Sequence, residues 1–499
     1  MAPHATSPDA SLPRKYWGEV RAPAEPLPNE LLCAILKYAF VSARTEISGS
    51  DGYRRSGRLL KRVHYIPEET PIDTIWTATD NLANPFLFPR NVACVSAHWR
   101  TIAESLPMLW TRIVLCVDSR PTPFSAVRAA LEHSKDLPLD IIVSRRPGMF
   151  VDADPDEYER CRAVIELLKP HIHRCRNMTF DVIHSSSFPS ISDDFHGAAC
   201  HMKTLKLKCR INDGTRPGGP ACTPAHNAEP FFAQRLEEII MDGRNFAHAC
   251  VKIPKFAASL HLAKSLEIYD FTPNPTVPGD DAFKLWDFVS VLSKMRLEAL
   301  TLTRVYFPFS LADVPNPEPC FGATTLTLDT LAGDFTTQIL DSSDFANLHI
   351  TRCPVSGVAF DTYARNMTLC EIPAFEDMCV FLACWNGQHL EVIDCPAFDD
   401  RALAGLAAGN QARGVRELHI RDCTRYRMEM LRTVVTALNE RAVQYFHDYL
   451  EAEGWDDPPL ALETLKVTGR GPVGTEEDIC WLRGHTDDFT WTAIQEGEA

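Results

Sequence analysis

Histidine and cysteine side chains cluster at two places in the sequence where a metal ion is the first chemistry to consider. His171, His173 and Cys175 lie close together, and Cys161 and His184 are nearby. Imidazole and thiolate are ligands that zinc prefers, and a structural zinc site needs four ligands. No C-x-x-C pair or H-x-x-x-H partner completes such a set. The same objection applies to a second group, His196, Cys200 and His201, so we expect no metal site.

Motifs for phosphate binding and nucleophilic catalysis are incomplete. The Gly-rich stretch Asn212 to Pro220 lacks the lysine of the G-x-x-x-x-G-K-[ST] motif, so it is interpreted as a loop. No G-x-S-x-G sequence presents a serine nucleophile. Scattered carboxylates give no pair that sequence alone assigns to acid–base catalysis. We therefore expect no catalytic residue and no cofactor, and the alternative is an enzyme whose site has no sequence signature.

Composition and charge narrow the classes of partner. The chain has 499 residues, 45% of them hydrophobic, which allows a small domain plus a large one. Its formal charge of −16 repels phosphate backbones and weighs against nucleic acid. No apolar run approaches the roughly 20 residues of a membrane span, and the polar N-terminus lacks a secretory signal. We expect the chain to be located in the cytoplasm, the nucleus or both, with its cysteines reduced. We expect its partner to be a protein.

The elements that position any binding surface begin with a helix near the N-terminus. Pro28 fits the first turn, where a missing N–H costs little, and Glu30 is favourable to the helix dipole. The following apolar residues form two adjacent stripes at four-residue steps. These are Leu31, Ile35 and Ala39 in one stripe and Leu32, Leu36 and Phe40 in the other. So broad an apolar face can pack on its own domain and still leave surface for a partner helix.

A second amphipathic segment runs from Asn91 to Leu106 and ends before Pro107. Its apolar residues recur at steps of three and four, the spacing of one helical face. They are Val92, Val95, Trp99, Ile102 and Leu106. Leu109, Trp110, Ile113 and Leu115 then indicate a transition from helix to strand.

Together the two segments resemble the halves of an F-box, L-P-x-E-L-L-x-x-I-L and then V-S-x-x-W-R-x-I-A with a downstream P-x-L-W. In that family three packed helices dock on the adaptor subunit of the SCF ubiquitin ligase and, through it, on a cullin scaffold. The resemblance implies adaptor-binding residues in both halves: Leu27, Pro28, Leu31, Ile35 and Leu36, and then Val95, Ser96, Trp99 and Ile102. The plainer alternative is two amphipathic helices of an all-α domain.

The halves are separated by an insertion at about 41–90, longer than the family normally has. It contains a basic segment, Tyr53 to Arg62, for which nuclear import, phosphate contact or a solvated loop are the alternatives. The expected organisation is a flexible tail at 1–26, the F-box-like module at 27–115, a repeat-like domain at 116–468 and an acidic tail or cap at 469–499.

Short segments of the form L-x-x-L-x-L or L-x-L recur along the repeat-like domain, and such brief alternation predicts strands. Their aligned apolar residues are Leu205, Ile239, Leu266, Leu300, Leu326, Leu348, Met367, Leu390, Leu418 and Leu465. Most of the spacings fall near the leucine-rich-repeat period of roughly 20 to 29 residues. Cys353, Cys395 and Cys423 each lie five residues after the leading leucine, as in the L-x-L-x-x-C ending of leucine-rich repeats.

The fold class expected from these patterns is α/β. A small all-α F-box-like helical module is followed by an irregular leucine-rich-repeat-like α/β solenoid with a parallel concave sheet. Leu137 to Val143 predicts a strand, and Tyr158 to Lys169, Phe283 to Leu292 and Met428 to Leu438 predict helices. Charged residues beside the inward leucines are candidates for target contact. These are Arg304, Asp329, Arg352, Asp394, Arg421 and Asp422.

The function expected from the resemblance is substrate recognition for an SCF-type ubiquitin ligase. The F-box would dock on the adaptor, and the repeat domain would bind a target protein whose identity the sequence does not specify. The alternative is a leucine-rich-repeat scaffold in which the N-terminal helices only cap the solenoid. A cap buries both apolar stripes of the first helix, whereas a docking module leaves one exposed.

Overall fold

The computed structural model describes residues 27–42, 89–146, 153–215, 218, 229–274, 282–310, 320–356, 362, 364–409, 411–412, 414–445 and 462–494. The chain forms two compact units. The N-terminal unit comprises Met1–Trp110 with Leu131–Lys135, and the sheet unit comprises Thr111–Ala130 with Asp136–Ala499. The expected tail at 1–26, most of the 41–90 insertion and the basic segment within it lie outside the described residues, as does much of the Gly-rich stretch.

The N-terminal unit contains three α-helices and a 3-10 helix in its described part. These are α1 (Asn29–Ser42), α2 (Arg90–Ala93), α3 (Ala97–Ser105) and the 3-10 helix Pro107–Trp110. Helix α1 begins as predicted, because the amide of Leu32 donates to the carbonyl of Pro28 at 3.0 Å. The buried apolar side chains of the unit include Leu32, Leu36, Phe40, Ile102 and Leu109.

The segment predicted as one helix, 91–106, is two helices separated by a short turn. Ser96 has extended backbone angles, and its Oγ accepts a hydrogen bond from the amide of Trp99 at 3.1 Å. A serine in this position starts the second helix, because its side chain replaces a missing backbone acceptor. Trp110 is buried, and its Nε1 donates to the carbonyl of Ala103 at 2.8 Å.

One parallel sheet organises the sheet unit, and its fourteen described strands lie in chain order. They are β1 (Arg112–Cys116), β2 (Leu139–Ser144), β3 (Cys175–His184), β4 (Thr204–Ile211), β5 (Glu238–Asp242), β6 (Ser265–Phe271), β7 (Leu297–Val305), β8 (Phe321–Asp329), β9 (Ser343–Thr351), β10 (Asn366–Cys370), β11 (His389–Ile393), β12 (Glu417–Arg421), β13 (Thr464–Arg470) and β14 (Asp488–Ile494). The sheet is not closed into a barrel, since β1 and β14 end the order.

The ten apolar positions that define the predicted repeat are aligned in one row across the sheet. Leu205 is paired with Ile239, and the pairing continues strand by strand to Leu418 and Leu465. Each of the ten side chains is buried. Because side chains alternate between faces of a strand, the apolar residue two positions further on lies in a second buried row. The strand predictions at these positions are confirmed.

Helices connect many of the strands. They are α4 (Phe124–His133), α5 (Glu157–Leu168), α6 (Ile191–Asp194), α7 (Gly243–Lys252), α8 (Pro254–Ser259), α9 (Leu285–Leu292), α10 (Gly333–Asp341), α11 (Phe375–Cys384), α12 (Asp400–Ala408), α13 (Met428–Tyr445) and α14 (Glu476–Arg483). Helices α5, α9 and α13 confirm the three predicted helical segments. Phe288 of α9 packs on Phe307, with ring centroids 4.7 Å apart, and both rings are buried.

The chain turns in the same way after several strands. At this turn the residues with positive φ lie in the last two positions of a strand or directly after it, and most are not glycine: Asp270, Arg304, Thr330, Arg352, Glu371, Asp394 and Asp422, with Gly469 near the end of β13. The amides of Thr330, Glu371 and Asp394 each donate to a carbonyl at the end of the next strand, at 2.8–2.9 Å. The left-handed conformation of these residues thus adds one more hydrogen bond between neighbouring strands and changes the direction of the chain.

The predicted repeat cysteines are buried beside this turn, which confirms the expected packing. The thiol sulfur of Cys353 accepts from the amide of Leu331 at 3.4 Å, and that of Cys395 accepts from the amide of Ile372 at the same distance. Cys423 donates to the carbonyl of Arg421 at 3.4 Å. Each small side chain therefore contacts backbone of its own or the preceding strand and helps to join successive units.

The segment at 469–499, expected to be a tail or cap, carries α14 and β14 in its described part. Strand β14 pairs with β13 over seven positions, from Thr464 with Asp488 to Arg470 with Ile494. The fold is a mixed α/β structure with an open parallel sheet, compatible with an α/β solenoid. None of the described helices is long and apolar enough to cross a membrane.

Candidate functional site

An exposed apolar stripe follows one side of helix α1. Leu31 is 54% exposed and Ile35 is 47% exposed, and Leu27 and Tyr38 are exposed to a similar extent. Their neighbours Leu32 and Leu36 on the same helix are 0% and 2% exposed. The helix therefore packs through one of its two predicted stripes and presents the other. We call Leu27, Leu31, Ile35 and Tyr38 the apolar stripe.

The other residues predicted to bind an adaptor occupy different environments. Pro28 and Val95 are exposed, and Val95 reaches 62%. Ser96 is exposed and caps α3, and Trp99 is half-buried one turn later. Leu36 and Ile102 are buried in the N-terminal unit, so they stabilise the helices that carry the exposed residues.

The six charged residues predicted to contact a target lie at the carboxyl ends of strands. Asp329 and Arg421 are the last residues of β8 and β12. The other four, Arg304, Arg352, Asp394 and Asp422, occupy the positive-φ positions of the turns. The parallel sheet brings these ends to one edge, since parallel strands all end in the same direction.

Most of these six residues form ion pairs with one another or with nearby charges. Arg352 Nη2 lies 2.9 Å from Asp329 Oδ1. Arg470 lies 3.5 Å from Asp394 and 3.6 Å from Asp422. Arg304 contacts Asp270, and this carboxylate raises the pKa of the guanidinium. Exposed pairs of this kind contribute little to stability.

A polar face lies on the side of strands β8 to β13 opposite the two buried rows. It is formed by half-buried side chains that alternate with the leucines. We define the polar face by its two rows, Thr325, Asn347, Asn366, His389, Glu417 and Thr464 in the first and Thr327, His349, Thr368, Glu391, His419 and Lys466 in the second.

Side chains of neighbouring strands are joined across the polar face by hydrogen bonds. Asn366 Nδ2 donates to Asn347 Oδ1 at 2.6 Å, and Thr368 Oγ1 donates to Glu391 Oε2 at 3.4 Å. An open cavity of about 440 Å³ lies over these residues and is bordered by Arg365. A surface with this mixture of donors, acceptors and charges suits a polar or peptide ligand better than an apolar one.

His389, Glu417 and His419 come together on this face, and the sequence-based predictions did not include them. His389 Nδ1 lies 3.0 Å from Glu417 Oε2. One donor atom from each of the three residues lies within 4.8 Å of the others. The signal available in the sequence was H-x-E at His389–Glu391 and E-x-H at Glu417–His419, in consecutive predicted strands.

The clusters that the sequence did single out do not form a comparable group within the described part of the chain. Cys175 is buried, and burial raises the pKa of its thiol to about 12, so it stays protonated. Burial also raises the pKa of the Cys161 thiol. His171 Nδ1 lies 3.3 Å from Arg174 Nη2, and burial lowers the pKa of the His171 imidazole.

Comparisons with known proteins do not place the chain in a family. No protein-family model matches it. No curated protein matches it either. The functional argument therefore depends on the residues and surfaces of this chain.

Proposed function

We propose that the chain is the substrate-recognition subunit of an SCF-type ubiquitin ligase. In this proposal the N-terminal helices are an F-box that docks on the adaptor, and the sheet unit is a leucine-rich-repeat domain that binds a target protein. Other subunits transfer ubiquitin, and this chain, which is not itself an enzyme, contributes proximity and orientation. The partners are the adaptor, the cullin scaffold behind it and the target.

The exposed apolar stripe of α1 is the observation that carries the proposal. Leu31 and Ile35 match the F-box-like pattern, and both are about half exposed while Leu32 and Leu36 are buried. Burying a Leu or Ile side chain is worth about 1.5–3 kcal/mol, so exposed residues of this kind favour association. A stripe that stays exposed after α1 has packed within its own unit supports the docking proposal over the scaffold alternative.

The polar face and the charged strand ends are the surfaces proposed for target capture. Both are carried by the strands of one sheet, so they are held in fixed relation to each other along β7 to β13. Polar contacts from a rigid sheet give specificity because an incorrect target leaves them unpaired. The proposal assigns recognition to these residues as a group.

A binding assay with purified SCF adaptor tests the docking step. The variant Leu31→Asp plus Ile35→Asp should bind at least about 100-fold more weakly than the wild type, because it places two charges in an apolar contact. The matched control is Leu262→Asp plus Val473→Asp, which changes two exposed apolar residues of the sheet unit. It should bind like the wild type.

Two results would overturn the docking proposal. A wild-type chain that does not bind the adaptor contradicts the assignment to an SCF ligase. Full binding by the Leu31→Asp plus Ile35→Asp variant contradicts the assignment of the apolar stripe. Circular dichroism and thermal melts of all three proteins show whether each variant retains the fold of the wild type.

A further inference from the structure

Two short segments of the polar face are mirror images in sequence. Strand β11 contains His389-Leu390-Glu391, and β12 contains Glu417-Leu418-His419. The parallel register places His389 opposite Glu417 and Glu391 opposite His419. Since residues at i and i+2 of a strand share a face, all four polar side chains lie on the same side of the sheet. The leucines between them are buried on the other side.

The distances within this group are close to those of metal ligands. His389 Nδ1 is 3.0 Å from Glu417 Oε2, and the two imidazole rings are 4.4 Å apart at 86°. The three donor atoms lie within 4.8 Å of one another. Ligands bonded to one tetrahedral zinc at 2.0–2.1 Å are about 3.3 Å apart. Small side-chain rotations would therefore bring the His419 imidazole close enough to His389 and Glu417 for all three residues to bind one metal ion.

His419 has a potential ligand atom that is not used within the protein. Its Nε2 is buried and has no hydrogen-bond partner. A buried polar atom left unsatisfied costs about 1–3 kcal/mol, and coordination of a metal ion would remove that cost.

We propose that His389, Glu417 and His419 form a binding site for a divalent transition metal ion, with Zn²⁺ as the representative ion. Two imidazoles and one carboxylate are a ligand set that zinc uses in proteins, and this set leaves a coordination position open. Glu391, opposite His419, adds negative charge, and Lys466 lies opposite His419 on the next strand. The metal site stands independently of the proposed ubiquitin-ligase role.

Zinc titration of the full chain after treatment with a chelator tests the site. Calorimetry should show that the wild type binds one equivalent of zinc. The zinc affinity should fall by at least about 100-fold in His389→Gln, Glu417→Gln and His419→Gln, because loss of even an outer-shell partner of a metal ligand lowers metal affinity about 10- to 100-fold. His349→Gln is the matched control, since it removes a histidine of the same face two strands away. It should retain the wild-type affinity.

Cobalt spectroscopy distinguishes this site from adventitious binding by cysteines. Co²⁺ bound to the proposed ligands should give d–d absorption without the charge-transfer band of a thiolate complex, and His419→Gln should abolish the d–d absorption. Thermal melts without metal verify that the variants fold, and zinc should stabilise only the wild type and the His349→Gln control. The proposal would be overturned if the wild type bound no zinc, or if the three ligand variants bound zinc as tightly as the wild type. A thiolate band that accounts for all bound cobalt would also overturn it.

Discussion

The imidazole rings of His389 and His419 meet edge to face, with centroids 4.4 Å apart and an interplanar angle of 86°. The two residues lie on adjacent parallel strands in neighbouring rows of the polar face. A proton on one ring therefore disfavours a proton on the other. Burial, His389 and Lys466 together lower the pKa of His419, in that order of importance.

We expect His389→Gln to raise the pKa of His419, because it removes one like charge beside the ring. Nuclear magnetic resonance titration of histidine-labelled protein in the presence of a chelator would measure this change. The His349→Gln control should leave the pKa of His419 where it is in the wild type. Because the folded state lowers this pKa below 6.5, the stability contributed by His419 decreases as the pH falls through 6.5. A wild-type His419 that titrates at or above 6.5 contradicts the prediction.

Asp242 should give the stability of the protein a second dependence on pH. It is buried at the N-cap of α7, where its Oδ1 accepts from the amide of Asn245 at 2.9 Å and its Oδ2 has no partner. Burial raises its pKa from 3.8 to about 6. The folded state therefore binds more protons in this window, and its contribution to stability is greatest below 3.8 and is lost as the pH rises through about 6.

The variant Asp242→Asn should remove this dependence, since asparagine caps a helix about as well and carries no charge. Urea denaturation at several pH values would measure the difference in free energy of unfolding between variant and wild type. We expect the variant to gain up to about 3 kcal/mol relative to the wild type between pH 4 and pH 7. A constant difference across this range would show that Asp242 does not titrate there.

Thr330 occupies a strained backbone conformation. Its φ is +54°, and a β-branched residue in the left-handed region is uncommon. Thr330→Asn should increase the free energy of unfolding by about 1 kcal/mol, because asparagine tolerates this region. The control is Thr327→Asn in the preceding strand β8, which should be neutral or slightly destabilising. Chemical denaturation of both variants would measure the effect, and equal changes in the two would argue against relief of strain.

The repeat cysteines should resist alkylation in the folded protein. Burial raises the pKa of Cys395 to about 12 and those of Cys353 and Cys423 to about 11, so their thiols are protonated and inaccessible. Peptide mapping after iodoacetamide treatment should show modification of exposed thiols, Cys94, Cys200 and Cys480 among them. The three repeat cysteines should react only after denaturation. Comparable labelling of Cys395 in the native protein would contradict the packing described.

Local patterning was sufficient to predict the framework of the fold. Leu348 and Leu390 are buried in one row of a parallel sheet because the alternation of apolar and polar residues specifies which side of a strand faces the core. Cys395 followed from its constant distance to Leu390. The exposed stripe of α1 was visible as a four-residue spacing, although spacing alone left open which of the two stripes is buried.

The arrangement of the candidate sites depended on tertiary structure. His389 and His419 are separated by 30 positions in the sequence, and only the pairing of β11 with β12 brings their side chains together. The burial of Leu32 rather than Leu31 depends on where neighbouring elements pack. By itself the sequence determined the strands, their repeat and their apolar faces, because burial periodicity is a local property. The polar cluster and the exposed stripe were decided by contacts between distant segments, which no local pattern encodes.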